Sequence, residues 1–496
     1  MLNGKPLKTL EYKTKQNNAI ITALFIVIIF ALPPLKLVAE IPDSDITYWV
    51  KDAIYRDPRV DSYEINVTTK DGIVMLSGNV KDLAAKSYAA LEAKKIDGVL
   101  GVINQITVSP YRRSDLDIDN AIRRRILNSN VIKSQGIFVN CKDGKVTLSG
   151  IVNTYSEEQE AGLIASEVKG VKEVENNIKT KWITERSDNE IKNDAESVLN
   201  RDVYLTGLPI TVTVINGDVS LDGTVGSAYE KDHAYEDVRR IKNVKSVKNQ
   251  LNVVWWERRG SREEMPSYSD ADLKKAVRDE LNQDIRLEDS DISINVAYGG
   301  VTLNGTVNSY YQKRIAEQDV QNVVGVGWVI NNLFVHVIMR EDWAILDDIK
   351  FNFNTDAVTE GFDIGVKVNN GIVTLTGNVN TWYQKLHAEE IAEKVKGVRK
   401  VVNQIEIYRE TPRVHTGTMV ANNIKENFKR NWLLREASDR INVTVQNGVV
   451  TLSGEVDTWA QRRQAEEVAF NTEGVYKVNN HLQVKGYNYN WEDWYS

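Results

Sequence analysis

A ten-residue pattern occurs six times along this chain of 496 residues, and it predicts a tandem array of small domains rather than one large core. In each copy a first glycine is followed by Val, Leu, a second glycine and Val at alternate positions. A Gly-Val or Asn-Val pair lies 20 residues after the second glycine, and an asparagine lies 6 residues later, in all six copies. The glycine pairs are Gly72 and Gly78, Gly144 and Gly150, Gly217 and Gly223, Gly299 and Gly305, Gly371 and Gly377, and Gly448 and Gly454.

Each copy predicts a helix, two strands, a second helix and a third strand. The opening helix has apolar residues at helical spacing, as at Leu273, Val277 and Leu281. Five of the six turns between the first two strands are Asx-Gly pairs, which adopt the positive φ angles of a tight hairpin, and the fourth copy is expected to use Gly299-Gly300. The second helix returns the third strand parallel to the second. The predicted fold is α+β, each copy being a three-stranded mixed sheet with two helices on one face.

The second glycine of each copy lies on the apolar face of the second strand, where glycine usually marks a close approach of another backbone. Small residues recur on one face of the second helix, as at Ala89 and Ala93 in the first copy. We expect this stripe of small residues to pack over the strand glycine.

The six copies, called repeats 1 to 6 below, occupy most of the chain. A linker separates repeats 3 and 4 at residues 256–268, and an aromatic tail follows repeat 6 at 487–496. The predicted bounds of the repeats are 42–110, 114–184, 187–255, 269–338, 341–408 and 412–486.

The repeats resemble BON domains, the bacterial OsmY-and-nodulation repeat of envelope proteins. The resemblance is carried by the hairpin x-Gly-x-Val-x-Leu-x-Gly-x-Val and by the distal Gly-Val-x-x-Val-x-Asn, and it covers about residues 42 to 486. It implies a periplasmic or membrane-attached protein that is not an enzyme and that binds phospholipid surfaces or supports envelope integrity and stress tolerance.

The N-terminus has the order of an export signal. A basic segment at residues 1–18 precedes an apolar segment at 19–39 that is interrupted by Pro33 and Pro34. The pattern favours an uncleaved signal anchor over residues 19–38, with the rest of the chain in the periplasm. A cleaved signal peptide, with secretion into the periplasm, is the alternative.

The composition leaves little room for catalytic or metal chemistry. A net charge of -7 gives no reason to expect nucleic-acid binding, and the single cysteine, Cys141, excludes a disulfide within the chain. His233 and His387 occupy one repeat position, ten residues after the strand glycine, and an exposed helix surface is the expected setting. We expect no enzyme, no cofactor and no metal.

Aromatic residues are the candidate surface contacts. Tyr155, Tyr310, Trp382 and Trp459 open the second helix of four repeats, where they either form a row of contacts for a partner or pack the helix onto its sheet or the next repeat. The other candidates are Trp255 and Trp256 at the end of repeat 3 and Trp491 and Trp494 in the tail.

Two functions therefore remain open. In the first, several BON-type domains bind membrane phospholipid or envelope proteins, with Arg123–Arg125, Arg239-Arg240 with Lys242, and Arg462-Arg463 as candidate basic clusters for anionic lipid. In the second, the repeats form a self-assembling scaffold, as a rod, ring or filament, because a unit of about 70 residues has a marginal core and gains from shared interfaces. The chain is then a possible homo-oligomer.

Overall fold

The computed structural model describes residues 41–57, 59–60, 64–181, 186–254, 268–337, 339–408 and 416–485. The predicted signal segment, residues 256–267 of the predicted linker and the tail lie outside these residues. No helix within the described ranges has the length and apolar character needed to cross a membrane.

Repeat 1 contains the five predicted elements in the predicted order. They are α1 (Asp43–Arg56), β1 (Ile65–Lys70), β2 (Ile73–Val80), α2 (Leu83–Lys94) and β3 (Gly101–Val108). β1 pairs antiparallel with β2, and β3 pairs parallel with β2, so β2 is the central strand. The hairpin and the parallel crossover are therefore confirmed.

The other repeats follow the same order, with interrupted strands in repeats 3 and 5. Repeat 2 has α3 (Asp115–Asn128), β4 (Ile137–Lys142), β5 (Lys145–Val152), α4 (Tyr155–Glu167) and β6 (Glu173–Thr180). Repeat 3 has α5 (Asp188–Arg201), β7 (Ile210–Ile215), β8 (Asp218–Val225), α6 (Ala228–Arg239), β9 (Ser246–Asn249) and β10 (Asn252–Val253). Repeat 4 has α7 (Asp270–Gln283), β11 (Asp291–Ala297), β12 (Gly300–Val307), α8 (Tyr310–Asn322) and β13 (Trp328–Val335). Repeat 5 has α9 (Asp342–Thr355), β14 (Gly365–Asn369), β15 (Ile372–Thr376), β16 (Asn378–Val379), α10 (Trp382–Glu393), β17 (Lys400–Asn403) and β18 (Glu406–Ile407). Repeat 6 has α11 (Gly417–Arg430), β19 (Ile441–Gln446), β20 (Val449–Val456), α12 (Trp459–Phe470) and β21 (Lys477–Val484).

Each sheet buries one face under the two helices of its repeat. In β2, Val74, Leu76 and Val80 are buried, whereas Met75 on the opposite face is exposed. This alternation follows from the two-residue period of a strand. The buried apolar residues of the described ranges form six clusters, one centred on each repeat, and the cluster of repeat 3 also contains Trp432 and Leu433 of repeat 6.

The hairpin turns adopt positive φ at both central residues, as in the pair Asp71 (50°) and Gly72 (72°). The expected turn of repeat 4 is wrong by one residue. Because Ala297 pairs with Gly300, the two-residue loop is Tyr298-Gly299, with φ of 52° and 75°, and Gly300 begins β12.

The strand glycine is required by the backbone of its own hairpin, and the expected packing of the small-residue stripe over it stays a prediction. Gly78 has φ of 118°, and a Cβ there would lie 1.8 Å from the carbonyl oxygen of Glu64, at the start of the paired strand. The other five strand glycines show φ between 112° and 126°. Only glycine adopts such a conformation without strain.

A carboxylate at the start of the first helix holds the hairpin turn in five repeats. In repeat 1, Asp43 accepts the N–H groups of Asp71 and Gly72 at 2.8 and 2.9 Å. Repeat 6 has Gly417 at this position, where a Cβ would lie 2.4 Å from the carbonyl oxygen of Val445. The acidic residues that play this part are Asp43, Asp115, Asp188, Asp270 and Asp342.

The recurrent asparagine joins the second helix to the third strand in all six repeats. Asn176 donates its side-chain amide to the carbonyl of Glu158 in α4 (2.8 Å) and accepts the N–H of Ile178 (3.3 Å). The equivalent residues that donate to the second helix are Asn104, Asn249, Asn331, Asn403 and Asn480.

Candidate functional site at the contacts between repeats

Repeats 2 and 5 are joined by backbone hydrogen bonds at the ends of their helices. In both of their pairings the end of a first helix in one repeat meets the end of a second helix in the other. These bonds satisfy groups that a helix end leaves without intrahelical partners. With the donor N–H named first, they run from Asn130 to Lys394 (2.7 Å), Lys396 to Asn128 (2.9 Å), Lys169 to Thr355 (2.9 Å) and Ala357 to Glu167 (2.8 Å).

Repeats 3 and 4 make the same two pairings, and repeats 1 and 6 make one of them among the described residues. In repeat 1 the residue at the donor position of the other pairing is Pro58, which has no backbone N–H. The bonds run from Val203 to Asn322 (2.8 Å), Val324 to Arg201 (2.9 Å), Lys242 to Gln283 (3.3 Å), Ile285 to Arg240 (2.9 Å), Asp97 to Arg430 (3.0 Å) and Trp432 to Lys95 (3.0 Å).

The second helices make a different set of contacts, within each half of the chain. Helix α2 contacts α4 and α6, and α8 contacts α10 and α12. Leu83 packs against the cores of repeats 1 and 2, and Ala228 of repeat 3 is buried in the core of repeat 1. Repeats 1 to 3 thus form one group and repeats 4 to 6 another, and the helix-end pairings join the groups as 1 with 6, 2 with 5 and 3 with 4.

The candidate aromatic residues that the structure describes are half-buried. The hydroxyl of Tyr155 hydrogen-bonds that of Tyr235 in repeat 3, and the ring of Trp382 stacks on Phe470 of repeat 6 at 4.0 Å. Tyr310 packs against the cores of repeats 4 and 5, and Trp459 packs against the core of repeat 6. The other four candidates, Trp255, Trp256, Trp491 and Trp494, lie outside the described residues.

His387 is buried, so the expected exposed setting is wrong. Its position on α10 faces the end of α9, and Nε2 lies 3.1 Å from both carboxylate oxygens of Asp356. Arg125 of repeat 2 reaches the same carboxylate at 3.5 Å and Glu167 at 2.6 Å. Burial alone would lower the pKa of His387, but Asp356 raises it to about 9, while His387 and Arg125 hold the pKa of Asp356 at about 2 against the effect of burial.

His233 occupies the equivalent position in repeat 3, and the exposed setting is wrong there as well. Its side chain is 11% exposed, with Nε2 3.1 Å from Asp202 Oδ2 and 3.7 Å from Asp237 Oδ2. Burial lowers the pKa of His233, but the two carboxylates outweigh that effect and raise it to about 9. Burial raises the pKa of Asp237 to about 7. Each histidine therefore forms a three-residue group with two carboxylates that has the donor types of a metal site.

Repeats 1 and 6 share a third charged cluster. Arg59 contacts Asp57 at 2.7 Å and Glu92 at 2.5 Å, and Lys95 contacts Glu467 of repeat 6 at 2.7 Å. Burial raises the pKa of Glu467 on its own, but Lys95 and Arg59 lower it to about 2. The same repeat position that carries the two histidines holds Tyr88, Glu160, Ile315 and Gln464 in the other repeats, and none of these is exposed. The residues at this repeat position are thus charged, polar, aromatic or apolar, and this variation in polarity is the sequence signal that could have indicated an interface.

The basic clusters considered for anionic lipid make contacts inside the molecule. Arg124 pairs with Asp347 and Asp348 of repeat 5. Arg463 donates to Tyr204 of repeat 3 at 3.1 Å and to Asn322 of repeat 4 at 3.0 Å. The remaining described contacts join Arg123 to Asp119, Arg239 to Glu236, Arg240 to Asp237 and Arg462 to the carbonyls of Leu482 and Asn480.

Cys141 has the setting of an unreactive strand residue. Its thiol lies 3.4 Å from Oδ1 of Asp115. Asp115 is the residue at the start of α3 whose carboxylate accepts the N–H groups of the hairpin turn. Partial burial and this carboxylate raise the pKa of the thiol to about 12. A thiol needs its thiolate form to act as a nucleophile, so this setting is inert.

Comparison with known proteins identifies the repeat. A family profile described as the BON domain matches residues 42–110, 114–181, 187–254, 269–336, 342–408 and 417–486. The osmotically-inducible protein Y of Escherichia coli (strain K12) is 33% identical over 146 residues, covering 28% of this chain and 73% of that protein. The outer membrane lipoprotein DolP of Haemophilus influenzae is 29% identical over 150 residues, covering 29% of this chain and 77% of that protein.

A solved structure also matches, but at a level that supports no argument. It is the C-terminal domain of CdsD, the structural protein of the Type III secretion system of Chlamydia trachomatis, with 17% identity and a TM-score of 0.13 over 43% of this chain and 100% of that chain. The family match, by contrast, covers all six repeats. The chain is therefore a member of the BON domain family, with six copies of the domain.

Proposed function

We propose that this chain is a non-catalytic protein of the bacterial envelope that binds phospholipid surfaces or envelope proteins through several BON domains. The observation that carries the proposal is the direction in which the domains face. The helix ends, together with Arg124, Arg125 and Arg463, make contacts between repeats, whereas the outer faces of the sheets carry exposed residues that are available to partners. Many weak sites on one body add their affinities through effective concentration.

The outer sheet faces have the composition of a weak, adaptable binding surface. They carry Ser, Thr, Asn and Gln with scattered large apolar residues, among them Ile103, Phe138 and Phe334, which are 45%, 65% and 54% exposed. Single exposed apolar residues are ordinary on soluble proteins, but similar patches on several sheets of one body provide several equivalent contacts.

The envelope location rests on the relatives and on the N-terminal sequence. One relative is named as an outer membrane lipoprotein, and the basic and apolar segments at residues 1–18 and 19–39 have the order of an export signal. We propose a periplasmic location for the six domains. Anchoring in the inner membrane by residues 19–38 remains part of this proposal.

We propose sheet-mediated rather than arginine-mediated contact with lipid, because the arginines of the basic clusters already have partners. A fragment of residues 40–496, which form one compact unit, is mixed with vesicles of phosphatidylethanolamine and phosphatidylglycerol and floated on a density gradient. We expect flotation that changes little between 50 and 500 mM salt. Binding driven by the clusters would instead fall steeply with salt, on the scale of a Debye length that shrinks from roughly 14 to 4 Å.

Substitutions distinguish the contribution of the sheet faces to lipid binding from that of other exposed apolar residues. We expect Phe138→Asp combined with Phe334→Asp to reduce flotation several-fold. Leu116→Asp is the matched control, since Leu116 is 69% exposed but lies on helix α3. No flotation of the unchanged fragment at either salt concentration would remove phospholipid from the proposal and leave envelope proteins as the partners.

The self-assembling scaffold receives less support from the contacts. The helix-end pairings that would join separate copies into a rod or filament are made within one chain. We therefore propose that the protein acts as a monomeric body that displays its sheets.

A further inference from the structure

We propose that Asp202, His233 and Asp237 bind a divalent transition-metal ion, of which Zn²⁺ is the best match, where repeat 3 meets repeat 4. This inference is independent of the proposed binding of envelope components. It departs from the expectation, drawn from the sequence, that the chain binds no metal.

The distances between the three ligand atoms suit a small divalent ion. Nε2 of His233 lies 3.1 Å from Oδ2 of Asp202 and 3.7 Å from Oδ2 of Asp237, and the ligand atoms of all three residues lie within 4.8 Å of one another. Tetrahedral coordination with bonds of about 2.0–2.1 Å separates neighbouring donors by about 3.4 Å. The observed separations bracket that value, so small side-chain rotations would complete the geometry.

One ligand atom lacks a hydrogen bond in the protein. Asp237 is 5% exposed, and its Oδ2 accepts no hydrogen bond although it points toward His233. Leaving a buried carboxylate oxygen without a hydrogen bond is costly, and native structures rarely do so. A metal ion at this point would satisfy the oxygen.

The groups behind the ligands hold them in place. Oδ1 of Asp202 accepts the N–H of Tyr204 at 2.7 Å, which directs Oδ2 toward His233. The other oxygen of Asp237 lies 3.6 Å from Arg240. Metal-binding carboxylates usually have such partners, because a fixed ligand loses less freedom on binding.

The charge of the surrounding network favours a cation. Around His233 the network contains five carboxylates and three guanidinium groups, so acidic groups outnumber guanidinium groups by two. A divalent ion that displaces the proton of the imidazole offsets that excess. The carboxylates belong to Asp202, Asp237, Glu280, Asp284 and Asp319, and the guanidinium groups to Arg201, Arg240 and Arg286.

The related site in repeat 5 shows what the repeat 3 site lacks. There the partner repeat supplies Arg125, which lies 2.6 Å from Glu167 and 3.5 Å from Asp356 and so places a positive charge beside His387. The equivalent residue of the partner for repeat 3 is Glu280. The carboxylate of Asp237 also replaces an apolar residue, Ile391. The two sites share a histidine, but in repeat 3 the partner's arginine position holds Glu280, which pairs with Arg201, and the site gains the carboxylate of Asp237.

The test measures Zn²⁺ binding to the full chain, without an affinity tag, after removal of metal with a chelator. We expect calorimetric titration with ZnCl₂ to show one high-affinity ion per chain. Co²⁺ should give the intense visible absorption bands of tetrahedral coordination. His233→Gln should weaken Zn²⁺ binding at least about 10-fold, whereas His387→Gln, the matched control, should leave it unchanged.

Thermal denaturation provides a second measurement. Because an ion that binds only the folded state stabilises it, Zn²⁺ should raise the melting temperature of the wild type and of His387→Gln, and not that of His233→Gln. Asp237→Asn, which preserves the shape of the side chain, serves as the second variant if His233→Gln does not fold. Absence of saturable binding by the wild type would overturn the proposal, as would undiminished binding by a folded His233→Gln or Asp237→Asn variant.

Discussion

The strand glycine lies opposite the first residue of the paired strand, as Gly78 lies opposite Ile65. Its φ near 120° lies outside the range of L-residues, and the carbonyl at the start of the paired strand occupies the space of a side chain. The glycine therefore acts through its own backbone, within one hairpin, and it is needed equally in all six domains.

Gly78→Ala should lower the free energy of unfolding by more than about 2 kcal/mol, because strained φ and a contact with the Glu64 carbonyl act together. Gly101→Ala in the same sheet is the control. A Cβ there meets only the flexible end of Ile73, at 3.1 Å, and we expect a change of under about 1 kcal/mol. Urea denaturation of residues 40–496 measures both, and equal losses would contradict the backbone explanation.

The His387–Asp356 pair should make stability depend on pH. The pKa of His387 rises from 6.5 to about 9 on folding, so its contribution is complete below pH 6.5 and is lost as the pH rises through 9. The pKa of Asp356 falls from 3.8 to about 2, so its contribution is complete above pH 3.8 and is lost as the pH falls through 2. The pair therefore stabilises the fold most between these limits.

We expect His387→Gln to be less stable than the wild type at pH 6 by on the order of 1–3 kcal/mol, and the difference to shrink toward pH 9.5. Denaturation of both proteins at several pH values measures the difference in stability. The contributions of the other titrating groups cancel in this difference, because both proteins contain them. A difference that is constant from pH 6 to pH 9.5 would show that the imidazole acts only by packing.

At the scale of secondary structure, the helix ends that form the bridges serve two purposes. Each of these ends finishes a domain, and it presents one N–H and one carbonyl to the partner domain in a short antiparallel bridge. The sequence of repeat 1 shows that a proline is accepted at the donor position, because Pro58 stands there. The bridge is thus one of several contacts that pair two domains, and its contribution to the pairing can be measured by itself.

Ala357→Pro should remove the 2.8 Å hydrogen bond from Ala357 to Glu167 and keep the rest of the domain. We expect a loss of about 0.5–1.5 kcal/mol in the pairing of domains 2 and 5. Hydrogen exchange at Lys169, the other N–H of this bridge, should become faster. Ala357→Ser keeps the N–H and is the control; unchanged exchange in the proline variant would show that the bridge does not hold the pair together.

The whole molecule consists of two groups of three domains. The bridges and buried charged clusters that pair the domains join repeats 1 to 3 with repeats 4 to 6, and residues 255–267 connect the two groups along the chain. Each group therefore has a surface that binds the other group, and many charged residues are buried in the interface between the two groups.

Residues 41–254 and 268–485, produced as two separate polypeptides, should associate one to one, because the three pairings do not require the linker. Size-exclusion chromatography with light scattering should show the complex, and the unbroken chain should be a monomer. The double variant Arg125→Ala, Arg463→Ala should weaken the complex at least about 10-fold. Two polypeptides that elute separately when mixed at micromolar concentration would contradict this organisation.

Much of each domain was predictable, because the forces that form it act over short distances along the chain. Asx-Gly pairs form tight turns, Ser and Thr cap helices, and alternation places Val74 and Leu76 on one face wherever the domain lies. The reason for the strand glycine was harder to predict, because a pattern of side chains does not reveal backbone φ. Asp43 was not predicted to hold the turn, because an acidic residue at a helix start is already favourable there.

The sequence by itself determined six domains, their order of elements and their membership of one family, because these depend on local periodicity and on a repeated pattern. Only the tertiary structure decided which domains pair and where the charged residues go. Arg125 and Asp356, or Lys95 and Glu467, are hundreds of residues apart, and each has the appearance of an ordinary solvent-exposed helix residue. Their burial depends on a partner surface, and no local pattern encodes that surface. The histidines at one repeat position became an internal ion pair in repeat 5 and a candidate metal site in repeat 3 for the same reason.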